Sequence, residues 1–77
     1  MGEVTWYVHK VNKTTEGKEN KTVSSFSTKK AAMMEYHSYC RDQLSSEKVL
    51  WYHVIVTNQF GAEEINEYTE VNAIPSV

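Results

Sequence analysis

The side chains most able to do chemistry crowd into one stretch, Phe26 to Cys40, which reads FSTKKAAMMEYHSYC. His37 and Cys40 stand three residues apart, a spacing at which neighbours on a helix can meet, and an imidazole beside a thiol has the makings of a nucleophile. Cys40, however, falls in the apolar stripe of the predicted helix, and a buried thiol is inert because the reactive thiolate is penalised away from water. Ser27 to Lys30 match the S-x-x-K pattern of serine acyl-transfer enzymes, yet its companion motifs do not occur and 77 residues are far too few for such an enzyme. His9, His37, Cys40 and His53 are potential metal ligands at spacings that fit no zinc pattern. Gly2, Gly17 and Gly61 are too scattered to form a phosphate loop. The expectation is a protein that is not an enzyme and that uses neither cofactor nor metal.

Binding chemistry has more to stand on. Lys29 and Lys30 occupy the first turn of the predicted helix, where the backbone already presents roughly half a positive charge, so an exposed lysine there costs up to about 0.3–1 kcal/mol. An anion resting on the free amides of Thr28 to Lys30 would turn both lysines into ligands. The alternative is that both ammonium groups extend into water, where salt screens the penalty to a few tenths of a kcal/mol. Lys30, His37 and Arg41 share one helix flank, with Tyr36 beside them as a flat surface and Arg41 able to hold a phosphate through two donors. The competing reading is that these side chains lay their stems on the core and keep their heads in solvent. Trp51 and His53 share one face of a later strand, as Tyr7 and His9 share one face of the first. Brought together in an oligomer, those faces form either a cleft for stacking on a nucleobase or the dry centre of an interface. The expected ligand set is therefore Lys29, Lys30, Arg41, His37, Tyr36, Trp51 and His53, for an anionic, nucleotide-like small molecule.

The elements that must position these residues follow from periodicity. Val4, Trp6 and Val8 alternate with Thr5, Tyr7 and His9, which predicts a strand from about Glu3 to Asn12. The polar KTTEGKEN reads as a long, mobile loop leading to a short strand, KTVSSF. A helix from about Thr28 to Leu44 follows, capped by Ser27 or Thr28, with Met33, Tyr36, Cys40 and Leu44 in the stripe that faces the sheet, Ala32, Tyr39 and Gln43 along one flank of it, and Glu35 and Asp42 on its back. VLWYHVIVT is the strongest strand, apolar on both faces: Leu50, Tyr52, Val54 and Val56 on one, Val49, Trp51, His53 and Ile55 on the other. TNQFG turns the chain at Gly61 into AEEINEYTEV, where Glu63, Glu64, Glu67 and Glu70 guard an exposed edge. Residues 72–77 read as a loose tail after one domain spanning 1–71, since Pro75 ends regular pairing. The predicted fold is α+β: β-β-α-β-β, a four-stranded antiparallel sheet with one helix packed on one face. A lone helix covers one side only, so the apolar second side predicts a homo-oligomer through that face.

Composition narrows the setting. A net charge of −2 and a pI near 5.9 argue against a protein that coats duplex nucleic acid. Cys40 is the only cysteine, which excludes an intrachain disulfide, and the start MGEVTWYVHK lacks the layout of a signal peptide, so a reducing, cytoplasmic location is expected. The longest apolar run, VLWYHVIV, is far below the roughly 20 residues that a membrane helix requires.

The leading WYVHKVNK, the helix segment KKAAMMEYHSYC, the strand VLWYHVIVTNQFG and the short acidic strand after it together resemble small proteins of bacterial phages and prophages. That resemblance implies a viral accessory role in an infected bacterial cell, often antagonism of host defence, exercised by binding. Two expectations follow. In one, a homo-oligomer sequesters a nucleotide-derived immune signal. In the other, a protein like an anti-CRISPR inhibitor binds a host defence protein directly, with Glu63, Glu64, Glu67 and Glu70 imitating nucleic-acid charge.

Overall fold

The computed structural model describes residues 4–72, and the chain runs β1 Trp6–Thr14, β2 Glu19–Phe26, α1 Lys29–Leu44, β3 Val49–Asn58 and β4 Glu63–Glu70. All four strands join one antiparallel sheet in the order β2-β1-β3-β4, and α1 lies across one face of it, against β1, β2 and β3. The expected β-β-α-β-β, α+β arrangement is the observed one.

The first hairpin is tighter than its composition implies. In place of a long loop, three residues separate Thr14 from Lys18: the Gly17 amide donates to the Thr14 carbonyl at 2.9 Å and the Thr14 amide donates to the Lys18 carbonyl at 2.8 Å. Gly17 has φ +85°, the left-handed conformation that closes such three-residue loops. The Thr14 hydroxyl adds a local bond by accepting from the Lys18 amide at 3.2 Å. These contacts let β1 run on to Thr14 and β2 begin at Glu19. Asn58 and Gly61 build the same turn between β3 and β4: Gly61 has φ +86°, and the Asn58 side chain accepts from the amides of Phe60 and Ala62 at 2.9 and 3.1 Å.

Thr28 caps α1, with its hydroxyl accepting from the Ala31 amide at 3.1 Å. The core beneath the helix consists of Val8, Ala32, Tyr52, Val54 and Val56, flanked by Trp6, Phe26, Tyr36, Tyr39, Cys40, Ile65 and Val71. Of the expected stripe, Tyr36 and Cys40 pack against this core whereas Leu44 is exposed, and the fully buried helix residue is Ala32 of the expected flank. The reason is steric: a methyl group allows the helix backbone close to the sheet, and long tyrosines on either side fill the remaining depth. Glu35, expected on the helix back, reaches the sheet instead and pairs at 3.3 Å with Lys10 of β1, whose side chain is only 12% exposed beside the Tyr39 ring.

Two bulges break the simple alternation. Lys13 pairs with Trp51 and Thr14 with Val49, so Leu50 is the extra residue, and Val49 shares the helix side and is buried. Val56 pairs with Ile65 and Thr57 with Glu63, so Glu64 is the extra residue in β4. Asn72, where the loose tail is expected to begin, is held: its side-chain amide donates to the carbonyls of Val49 at 2.6 Å and Ser46 at 3.0 Å. The rest of that tail lies outside the described residues.

Candidate functional site: the outer helix face and the bare sheet face

At the start of α1 the misplaced charge has an internal answer. Lys29 Nζ lies 3.3 Å from the carboxylate of the bulged Glu64 and 5.7 Å from the centroid of the Trp6 ring. A carboxylate and an aromatic face offset what the helix dipole costs this lysine. Lys29 therefore ties the helix to the edge strand β4. Lys30 is exposed and makes no ion pair among the described residues.

One turn further on, Lys30, Met34, His37 and Arg41 follow one another along the outer side of α1, where 3.6-residue periodicity aligns positions spaced by four, three and four. Met34, His37, Ser38 and Arg41 line a shallow depression there. Met34 is 64% exposed, although it is apolar. The Arg41 guanidinium, like Lys30, has no carboxylate at ion-pair distance among the described residues.

Tyr36 faces the other way, although its ring centroid is 4.9 Å from that of His37. Its hydroxyl donates to the Glu67 carboxylate on β4, and that bond, helped by burial, pushes the phenol far above its ordinary range. Burial pushes Tyr39 up to about 12 and also raises Tyr52 and the Cys40 thiol. Cys40 is thus a neutral thiol at neutral pH, half-buried among tyrosines, while His37 looks out to solvent.

Trp51 and His53 point from the sheet face opposite the helix. Pairing aligns four cross-strand rows there: Ser25, Tyr7, Thr57 and Glu63; Val23, His9, Ile55 and Asn66; Lys21, Val11, His53 and Tyr68; Glu19, Lys13, Trp51 and Glu70. The Tyr68 ring lies 5.5 Å from Trp51 and 6.4 Å from His53, and His53 Nε2 is 2.6 Å from Asn66 Oδ1. His9 is 6.4 Å from the Tyr7 ring, with its Nε2 3.4 Å from Thr57 Oγ1. Tyr68 is absent from the sequence expectation, because four glutamates make β4 read as a guard strand; the signal was the alternation Asn66, Tyr68, Glu70.

The expected ligand residues therefore do not converge within the chain. Arg41 and His37 come together with Lys30 nearby, Lys29 is tied to Glu64, Tyr36 sits between helix and sheet, and Trp51 and His53 lie beyond the sheet. The acidic edge is split as well: Glu64 and Glu67 are engaged by Lys29 and Tyr36, and Glu63 and Glu70 occupy the rim of the bare face. Among the described residues no group of histidine, cysteine and carboxylate side chains could hold a metal ion, and no helix is long and apolar enough to cross a membrane. Compared with family models, curated proteins and solved structures, the chain matches none.

Proposed function

We propose that the chain is a non-enzymatic binding protein that captures an anionic, nucleotide-class small molecule on the outer face of α1. The observation that carries this reading is the depression lined by Met34, His37, Ser38 and Arg41, with an unpaired guanidinium at its edge. A guanidinium offers a phosphate two parallel donors, and Ser38 and His37 add single donors. Met34 supplies a polarizable apolar surface for a base or ring, and Lys30 extends the positive stripe toward the helix start. The resemblance to phage accessory proteins supplies the setting: a host-defence antagonist that sequesters a nucleotide-derived signal.

Titration calorimetry against linear and cyclic nucleotides, with inorganic phosphate as the anion control, tests it. One nucleotide should bind at one site per chain, and Arg41→Ala should weaken it at least tenfold. No heat from any member of the panel removes the reading.

A further inference from the structure

The sheet face opposite α1 is left bare by the fold. Antiparallel sheets tolerate one solvated face, but then their outward positions are polar. Half of the outward positions of the two central strands are instead aromatic or aliphatic, Tyr7 and Val11 on β1 and Trp51 and Ile55 on β3, beside His9, Lys13, His53 and Thr57. At the flanks, Val23 is 61% exposed and Tyr68 is 54% exposed. We propose that a second copy of this chain covers this face, packed sheet against sheet across a twofold axis.

Three observations select this occupant. The first is where charge lies. Glu19, Lys13, Glu70, Lys21 and Glu63 all fall on the perimeter of the four rows, and the centre is His9, Val11, His53 and Ile55. A centre without lysine, arginine or carboxylate side chains, bordered by Tyr7, Trp51 and Tyr68 and ringed by the charged groups, matches the anatomy of a protein interface. The second is the sign of the rim. It carries two lysines and three glutamates, which suits neither a polyanion nor a strongly basic partner, whereas mixed signs can pair with themselves across a twofold axis. The third is area. Four strands about 4.8 Å apart and four rows about 6.8 Å apart make a plane of roughly 500 Å² before side-chain relief is counted. Standard interfaces take about 800 Å² of accessible surface from each partner, so a stable contact must use nearly the whole face. A matching sheet does that, and a small ligand or a single extended peptide does not. The protomer also has reason to gain by association, since only six apolar side chains among the described residues are buried.

The dimer is independent of ligand capture on α1, because the two surfaces lie on opposite sides of the sheet. Sedimentation equilibrium of the full chain should give twice the 8.9 kDa protomer mass at micromolar concentration. Ile55→Asp and, separately, Val11→Glu should return it to one protomer while far-ultraviolet circular dichroism stays unchanged, and Met34→Asp on the outer helix face should leave the dimer intact. If one variant fails to fold, the other carries the test, and dilution of the wild type should shift tryptophan emission to the red as Trp51 meets water. A wild type that stays at one protomer mass up to hundreds of micromolar, or an oligomer that survives both face substitutions, overturns the proposal.

Discussion

Tyr36 and Glu67 form the contact in which a single atom matters most. Removing the hydroxyl leaves a half-buried carboxylate with Thr69, at 3.5 Å, as its remaining side-chain donor among the described residues. Tyr36→Phe should therefore lower the unfolding free energy by about 1–3 kcal/mol in urea titrations, the range for a lost hydrogen bond to a charged group. The tyrosines also set an alkaline limit. Tyr36, Tyr39 and Tyr52 all have raised pKa values in the fold, Tyr39 at about 12, whereas an unfolded tyrosine ionises near pH 10. Below that the phenols are neutral in both states and stability does not depend on them. As pH rises past about 10 the unfolded chain loses protons that the folded one keeps, so stability falls from there toward 12. Melting temperatures measured across that window should decline, and Tyr39→Phe should flatten the decline. At Lys29 and Arg41 the two accounts of the basic helix part company. If the outer face holds the ligand, Arg41→Ala weakens nucleotide binding at least tenfold and Lys29→Ala leaves it within about twofold, while costing no more than about 1 kcal/mol of stability, as for a half-exposed ion pair.

Two short devices set the elements. Both hairpins close with a side-chain acceptor, Thr14 or Asn58, and a left-handed glycine three residues later. Alanine at Gly17 or Gly61 meets no neighbouring atom but must adopt a positive φ, which costs about 1–2 kcal/mol, so each variant should lose that much in thermal or urea unfolding. A long polar segment such as KTTEGKEN hides this, since composition reports that a loop exists and only the hydrogen bonds report how short it is. The helix was legible in its bounds, because Thr28 is a cap and the 3.6-residue period is sustained. Its rotation was legible only in part: Tyr36 and Cys40 face the core as expected, but Ala32 rather than Met33 or Leu44 lies deepest. Ala32 has little hydrophobicity to offer, and its importance lies in how close it lets the backbone come, which depends on what Val8 and Val56 present from the sheet. Enlarging it should be costly: Ala32→Leu should destabilise by about 1–3 kcal/mol in the same urea titrations.

The whole molecule is a two-layer half-sandwich, with the helix closing one side and a second sheet expected on the other. If the dimer forms, its melting temperature rises with protein concentration, because association stabilises the folded state by mass action. A melting temperature constant over a hundredfold dilution would place the bare face in solvent. The same two-sided layout explains why the expected ligand residues fell into separate places. Helix and strand each present chemistry on two sides, and a list of reactive residues does not say which sides meet.

Alternation in WYVHKV and VLWYHVIV, the capped helical period and the glycine turns by themselves determine four strands, one helix and a central strand with aromatic and β-branched residues on both faces, because these signals are local and short-range backbone sterics enforce them. The strand order β2-β1-β3-β4, the two bulges, the capture of Lys29 by Glu64 and of Tyr36 by Glu67, and the separation of Arg41 from Trp51 were decided by tertiary structure alone. Each of these joins residues far apart in the chain, and a contact across such distances depends on how whole elements stack, which no window of neighbouring residues encodes.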